Sequence, residues 1–187
     1  MKRASIILMA ILISMLFITA SYAGNDFVLK AGSDSSVLEM DMEIWEEEFE
    51  GTLGTGLFLA GEYIRSLGPL EAGVGGEYLP LRSTEAQRAE DFSFINTYYL
   101  AGLSWGAFFL RGRLGYSLFI PPESQQDRVG LETEGGIYYA GSAGIQIGIF
   151  QLEAMMGVSR ARIIEEHFNQ SADLTLTRMG LSLGLVF

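Results

Sequence analysis

Apolar and polar residues alternate with a period of two along most of this chain, from Leu38 to its last residue. The pattern is clearest at the C-terminus, where every second residue is apolar: Leu181, Leu183, Leu185 and Phe187. Successive side chains of a β-strand point to opposite faces, so the alternation predicts strands with one apolar and one polar face. We identify eight such strands, of which the first is predicted at 38–44.

The connections between the predicted strands alternate in length. Tight turns are predicted at 67–69, 105–106 and 148–149, and long polar loops at 82–91, 121–133 and 165–173. The remaining connection, near 50–54, is short where this scheme requires a loop. Short turns at one end and long loops at the other are typical of transmembrane β-barrels. The even number of strands places both termini at the short-turn, periplasmic end.

The N-terminus predicts an export signal at 1–23. Lys2 and Arg3 precede an apolar run at 6–19, and Ser21-Tyr22-Ala23 supplies small residues for cleavage after Ala23. A retained membrane anchor is the alternative, but spanning a bilayer takes about 20 apolar residues and this run is shorter. Residues 24–37 are polar and small, so we interpret them as a periplasmic lead-in to a barrel at 38–187.

Alternation alone does not tell whether the apolar face points to lipid or to a core. A soluble lipocalin-like barrel would show the same pattern turned inside out. Small residues gather on the polar face, which suits the narrow lumen of an eight-stranded barrel. Aromatic residues lie at strand ends, as interfacial girdles do: Phe92, Trp105, Phe108, Tyr116, Phe150 and Phe187. We therefore predict a membrane barrel.

Composition narrows the choice of partners. Overall hydropathy is positive and the chain holds 23 glycines, which is unusual for a soluble domain. Loss of Lys2 and Arg3 with the signal changes the net charge from −11 to −13, which argues against a nucleic-acid partner. The absence of cysteine excludes disulfides and thiolate metal sites. We expect no cofactor and no metal.

Together these features resemble the small eight-stranded outer-membrane barrels of the OmpA-transmembrane-domain and OmpX type. The resemblance covers 38–187 and rests on the architecture and on the ending Leu181-x-Leu183-x-Leu185-x-Phe187. It implies an all-β, eight-stranded antiparallel up-and-down transmembrane barrel in the outer membrane, as a monomer. In that group the terminal phenylalanine is part of the signal read by the outer-membrane assembly machinery, a role that would carry over to Phe187.

The polar faces carry charged residues that would form a network in the lumen. The acids are Glu39, Asp41, Glu43, Glu62, Glu71, Glu77 and Glu153, and the bases are Arg111, Arg113 and Arg178. Eight strands leave an interior only wide enough for side chains, which favours a plug over an ion path. Because seven acids face three bases, we expect some carboxylates to be protonated, hydrated or bound to cations.

Arg160 and Arg162 continue the lipid-facing row of the seventh predicted strand. The ten residues from Phe150 to Arg160, tilted by about 40°, rise about 25 Å, which is the height of the apolar band of such barrels. Both guanidinium groups would emerge at the headgroups of the outer leaflet. There they would contact the phosphate of an anionic glycolipid, or alternatively only solvent.

A catalytic site is not indicated. The single histidine, His167, lies near Glu165, Glu166 and Ser171, which invites comparison with lipid A deacylases that are also eight-stranded barrels. Their pattern places serine two residues after histidine, where this chain has Asn169. The acidic cluster Glu46-Glu47-Glu48 and Glu50 predicts a solvated extracellular rim, with a bridge by divalent cations to lipid phosphates as the alternative.

We therefore predict a structural or surface-interaction role: membrane integrity, adhesion or ligand contact through the long loops. A narrow pore or a transporter of small hydrophobic solutes is the alternative. A lipid A-modifying enzyme or, if the barrel is soluble, a lipocalin-like carrier is the third possibility.

Overall fold

The computed structural model describes residues 25–42, 47–82, 92–121, 131–165 and 170–187. They form eight strands: β1 (Asn25–Met42), β2 (Glu47–Leu67), β3 (Leu70–Arg82), β4 (Phe92–Trp105), β5 (Phe108–Ile120), β6 (Leu131–Ile147), β7 (Phe150–Glu165) and β8 (Gln170–Val186). Each strand pairs antiparallel with the next, and β1 pairs with β8, so the sheet closes into a barrel. The predicted fold class is confirmed. No helix in these ranges is long and apolar enough to cross a membrane.

Three two-residue turns close one end of the barrel, as predicted. Each turn begins with a glycine of positive φ, at Gly68 (66°), Gly106 (64°) and Gly148 (60°). Glycine adopts this left-handed conformation without steric cost, and hairpin turns of this kind match the twist of the flanking strands. We call this end of the barrel the turn end and the opposite end the loop end.

The two ends of the described chain also lie at the turn end. The Phe187 amide donates to the Phe27 carbonyl at 2.9 Å, and the Phe27 amide donates to the Phe187 carbonyl at 3.1 Å. On the other side, the Val186 amide donates to the Ile149 carbonyl at 2.8 Å. The closing strand is therefore hydrogen-bonded on both sides down to its last residue.

The outer surface of the barrel is apolar, because the predicted apolar faces of β3, β5, β6, β7 and β8 all point outward. Large exposed residues on it include Leu70, Val74, Leu110, Leu114, Tyr139, Leu152, Leu181 and Leu183. The predicted strand-end aromatics Trp105, Phe108, Tyr116, Phe150 and Phe187 are exposed there as well. Phe92 is an exception, since it is buried inside the barrel near Phe94 and Phe119.

Strand β1 differs from the prediction. Residues 25–37, which we interpreted as a lead-in, belong to this strand and pair with both β2 and β8, so the barrel begins at Asn25 rather than at 38. Leu38 is buried in the interior, so the faces of the predicted first strand are reversed. The alternation was hidden because the outer face of β1 carries the small residues Ala31, Ser33 and Ser35.

The barrel wall is taller on one side at the loop end. Strands β1 and β2 have 18 and 21 residues and β6 to β8 have 16 or 17, whereas β3 to β5 have 13 or 14. The prediction of a connection near 50–54 is wrong, because those residues lie within β2. The last loop is shorter than predicted, since β8 begins at Gln170. The export signal at 1–23, Glu43, Glu46 and His167 lie outside the described residues.

Candidate functional site

The interior of the barrel is filled by side chains. Four apolar residues form a floor cluster at the turn end: Val28, Ile64, Leu100 and Val186. A larger cap cluster extends to the loop end: Leu38, Phe58, Leu79, Phe92, Phe94, Tyr98, Phe119, Tyr138, Ala140, Met155, Ala161, Leu174 and Leu176. Buried charged residues lie between and beside these two clusters. Burial of charge is tolerated only where the charges are paired and hydrogen-bonded, so the pairing of these groups decides what the lumen can do.

Two acids and two bases form a closed ring of ion pairs across the lumen. Lys30 Nζ lies 2.7 Å from Glu62 Oε2 and 2.6 Å from Glu153 Oε2. Arg113 Nη2 lies 2.8 Å from Glu62 Oε1 and 2.6 Å from Glu153 Oε1. Each acid therefore contacts both bases, and each base contacts both acids. We call these four residues the central ion ring.

Arg111 forms a second ion pair closer to the turn end. Its Nε donates to Glu71 Oε2 at 2.6 Å, and its Nη1 donates to Gln151 Oε1 at 3.2 Å. The guanidinium carbon lies 4.0 Å from the centre of the Phe109 ring, which is within cation–π range. Gln151 also donates to Glu153 Oε2 at 2.9 Å, so this pair is connected to the central ion ring.

Arg178 forms a third group towards the cap cluster. Its two terminal nitrogens donate to Asp34 Oδ2 at 3.3 Å and to Glu77 Oε1. Glu77 Oε1 also accepts from Asn96 Nδ2 at 2.8 Å, and Arg178 Nη2 donates to the Tyr138 hydroxyl at 3.2 Å. Arg178 is almost fully buried, so its charge depends on these partners.

The structure changes the predicted charge balance. Seven of the ten predicted lumen residues lie inside: Glu62, Glu71, Glu77, Arg111, Arg113, Glu153 and Arg178. Glu39 and Asp41 lie instead on the exposed outer side of β1, so their assignment to the lumen is wrong. Among the described residues, five buried carboxylates face four buried bases, and each carboxylate has a basic partner. The large acidic excess, on which we based the expectation of protonated or cation-bound carboxylates, is therefore absent.

Arg160 and Arg162 are both exposed on the outer surface above the apolar rows of β7. Arg162 is engaged with β8: its Nε donates to Asp173 Oδ1 at 2.6 Å and its Nη2 to Asp173 Oδ2 at 3.0 Å. The hydrogen bonds from Arg162 lower the pKa of the Asp173 carboxyl below its usual range. In the strand register Asp173 also lies opposite Asp41. The outer rim at the loop end therefore mixes both signs of charge.

No protein-family model matches this sequence, and no curated protein sequence matches it. Solved structures do match. OprG from Pseudomonas aeruginosa superposes with a TM-score of 0.53 at 13% identity, over 88% of this chain and 96% of its own. Ail, the attachment invasion locus protein of Yersinia pestis, superposes with a TM-score of 0.51 at 12% identity, over 87% of this chain and 99% of its own.

The chain has the fold of the small eight-stranded outer-membrane barrels. The resemblance inferred from the alternation is thereby confirmed. At such low identity the similarity shows the fold alone.

Sequence reasoning missed several members of this barrel's charge network. Lys30 and Asp34 lie in the segment that we interpreted as a lead-in, and they supply one base and one acid. The neutral partners Tyr98, Asn96 and Tyr138 were missed as well, because their roles depend on contacts across the lumen. The pattern of β1 carries no signal that would have found them, because apolar, small and charged residues occur both on its inner face, from Val28, and on its outer face.

Proposed function

We propose that this chain is an integral outer-membrane barrel, exported by the segment at 1–23, that acts through its outer surface and loop end. It neither conducts solutes nor catalyses a reaction in this proposal. The apolar outer surface supports a location in a bilayer, because large apolar surfaces are rarely left exposed to water. The shared fold supports the outer membrane as that bilayer.

The central ion ring is the observation that carries the proposal of a closed lumen. Glu62, Arg113 and Glu153 stand on β2, β5 and β7, three strands that are not neighbours in the barrel. Their ion pairs therefore bridge the lumen from wall to wall. Opening a path would separate charges that are at most 2% exposed, and an unpaired buried charge costs several kcal/mol.

The loop end supports a role in surface interaction. The taller wall formed by β6, β7, β8, β1 and β2 raises exposed charges above the apolar surface, among them Glu134, Arg162, Asp173 and Asp41. The connections from β3 to β4, from β5 to β6 and from β7 to β8 belong to the same end. Ail, which shares the fold, is described as an attachment protein, and this supports adhesion among the possible roles.

Membrane location and conductance test the proposal together. We expect the protein to fractionate with outer membranes and to migrate faster on gels when unboiled, as detergent-resistant barrels do. In planar lipid bilayers we expect no stepwise current. Steps that grow when Arg113 is replaced by serine would instead support the narrow pore. Recovery of the protein from the soluble periplasm would overturn the membrane location altogether.

A further inference from the structure

The outer surface of β1 is unlike that of the neighbouring strands. Next to the exposed Leu29, its outward residues Ala31, Ser33 and Ser35 are small. The strands on either side carry large exposed residues: Leu57 and Leu59 on β2, and Met179, Leu181 and Leu183 on β8. A groove therefore runs along β1, with β1 as its floor and β2 and β8 beside it, and its lining extends to Leu152 and Ala154 on β7.

The groove is large enough to hold part of a lipid. It consists of two adjoining depressions of about 350 and 440 Å³, and both are lined by Ser33 and Leu181. Ligand sites in proteins commonly have volumes of about 300–1,000 Å³ and mainly apolar walls. Since this groove opens on the apolar side of the barrel, hydrocarbon is the material that would fill it.

The groove leads towards Arg160 at the loop end. Above Met179 the outer face of β8 continues with Thr177 and Thr175, which are half-buried. In the register of β7 and β8, Thr175 lies opposite Arg160. From Leu181 to Thr175 the strand covers about 20 Å, at roughly 3.3 Å per residue. The guanidinium group of Arg160 thus lies about one acyl-chain length from the middle of the groove.

We propose that the groove over β1 binds an acyl chain of a phosphorylated glycolipid of the outer leaflet, and that Arg160 binds its phosphate. The inference rests on the proposed outer-membrane location, since Arg160 faces the outer leaflet only there. Arginine suits this role because its planar guanidinium forms paired hydrogen bonds with phosphate. Arg162 is excluded from it, because Asp173 already occupies two of its nitrogens.

A second copy of the chain fits the groove less well. In a symmetric dimer the same patch of both subunits meets at the two-fold axis. A dimer formed over β1 would therefore bring the exposed Glu39 and Asp41 of both copies together. Like charges in contact disfavour that arrangement, whereas a lipid phosphate on the β7 side of Thr175, away from Glu39 on β1, meets the guanidinium group of Arg160.

Lipid retention by the purified barrel in detergent micelles tests the inference. The probe is lipid A, a bisphosphorylated and multiply acylated disaccharide lipid. Phosphatidylglycerol is the competing phospholipid. Native mass spectrometry counts the bound lipid molecules. Ser33→Leu fills the groove, and Ala101→Leu adds the same side chain to the outer face of β4 as a control. Arg160→Gln removes the cation, and Arg65→Gln removes an exposed arginine near the turn end as its control.

We expect the native protein to retain one lipid A. Arg160→Gln should weaken retention by roughly tenfold or more, as loss of one charged hydrogen bond does. Ser33→Leu should also weaken retention, because the leucine side chain excludes the acyl chain from the groove. The two controls should bind like the native protein. Equal binding by all five proteins would overturn the inference. Equal retention of phosphatidylglycerol would overturn the glycolipid assignment. A dimer of the native protein that Ser33→Leu dissociates would show that the groove binds a second copy of the chain and not a lipid.

These outcomes are independent of those for the proposed function. A barrel that fractionates with outer membranes but retains no lipid A overturns only this inference. A protein found in the soluble periplasm overturns the proposed function.

Discussion

Phe58 on β2 lies directly opposite Gly32 on β1, and its ring fills the space that a side chain on Gly32 would need. A Cβ atom added to Gly32 would stand 2.5 Å from the Phe58 Cζ atom and would also clash with the Leu181 carbonyl oxygen. The same relationship joins two other inward-facing pairs of opposite residues: Tyr98 with Gly75, and Phe109 with Gly144. A narrow lumen accommodates large rings because glycine stands opposite them.

Gly32→Ala is therefore expected to destabilise the barrel by about 1–3 kcal/mol, the usual cost of overpacking a core. The matched control is Gly112→Ala, because a Cβ atom there would meet nothing closer than the Ala101 carbonyl oxygen at 3.9 Å. Alanine at such a position restricts the unfolded chain, so the control should be neutral or slightly stabilising. Urea unfolding of both variants in detergent micelles measures the difference, and an equal loss in both would contradict the packing argument.

Removal of Arg113 from the central ion ring is expected to be costly. Arg113→Met leaves Glu62 and Glu153 sharing only Lys30, and breaking a buried pair from one side costs about 3–5 kcal/mol. Arg162→Met, at an exposed pair, should cost no more than about 1 kcal/mol. The free energies of unfolding of the two variants provide the comparison.

A double-mutant cycle separates pairing from packing at this ring. Glu153→Gln alone should also destabilise, and the loss in the Arg113→Met/Glu153→Gln variant should be smaller than the two single losses combined. Strictly additive losses would mean that the two side chains act independently, against the 2.6 Å contact.

The sequence predicted the walls of this barrel better than its contents. In β5 and β7 the two faces differ strongly, so the positions of Arg111, Arg113 and Glu153 followed directly from alternation. In strand β4 alternation does not distinguish the two faces, because the inner face joins the cap cluster through Phe92 and Phe94 and both faces are therefore apolar. The partners of an inward-facing residue were beyond prediction, because they depend on the register of strands that are not neighbours.

The prediction of strand β1 failed for the opposite reason. Its outer face is small and partly polar at Ser33 and Ser35, where the other strands are apolar. Sequences depart from regular patterns chiefly at functional or strained sites. The small outward residues of β1 thus explain both why the strand was not recognised and why a groove lies on its outer face.

Stability should depend weakly on pH through Asp173. Because Arg162 lowers the pKa of this carboxyl in the folded protein, the pair stabilises the barrel above the unfolded value of 3.8. That contribution is lost as the pH falls below 3.8 through the folded pKa. Both side chains are about half exposed, so the gain should be only about 0.2–1 kcal/mol and should shrink with added salt.

The measurement is the difference in unfolding free energy between the native protein and Asp173→Asn, taken at several pH values. We expect a small constant difference between pH 5 and pH 7 that disappears in acid. A difference that grows in acid would show that the neutral carboxyl, and not the ion pair, stabilises the strand pair.

Phe187 provides a test of assembly that is separate from stability. Its hydrogen bonds with Phe27 use backbone atoms, so Phe187→Ala should leave the closing strand paired. Phe150 is a matched control, because it is an equally exposed aromatic residue at the same end of the barrel. If the terminal ring is read by the assembly machinery, Phe187→Ala should reduce the amount of barrel in outer membranes severalfold, while Phe150→Ala should not.

Both variants should refold alike from urea into detergent micelles, where no machinery is present. Equal insertion of the two variants in cells would remove Phe187 from that role, and a shared defect in micelles would assign the loss to packing of the closing strand.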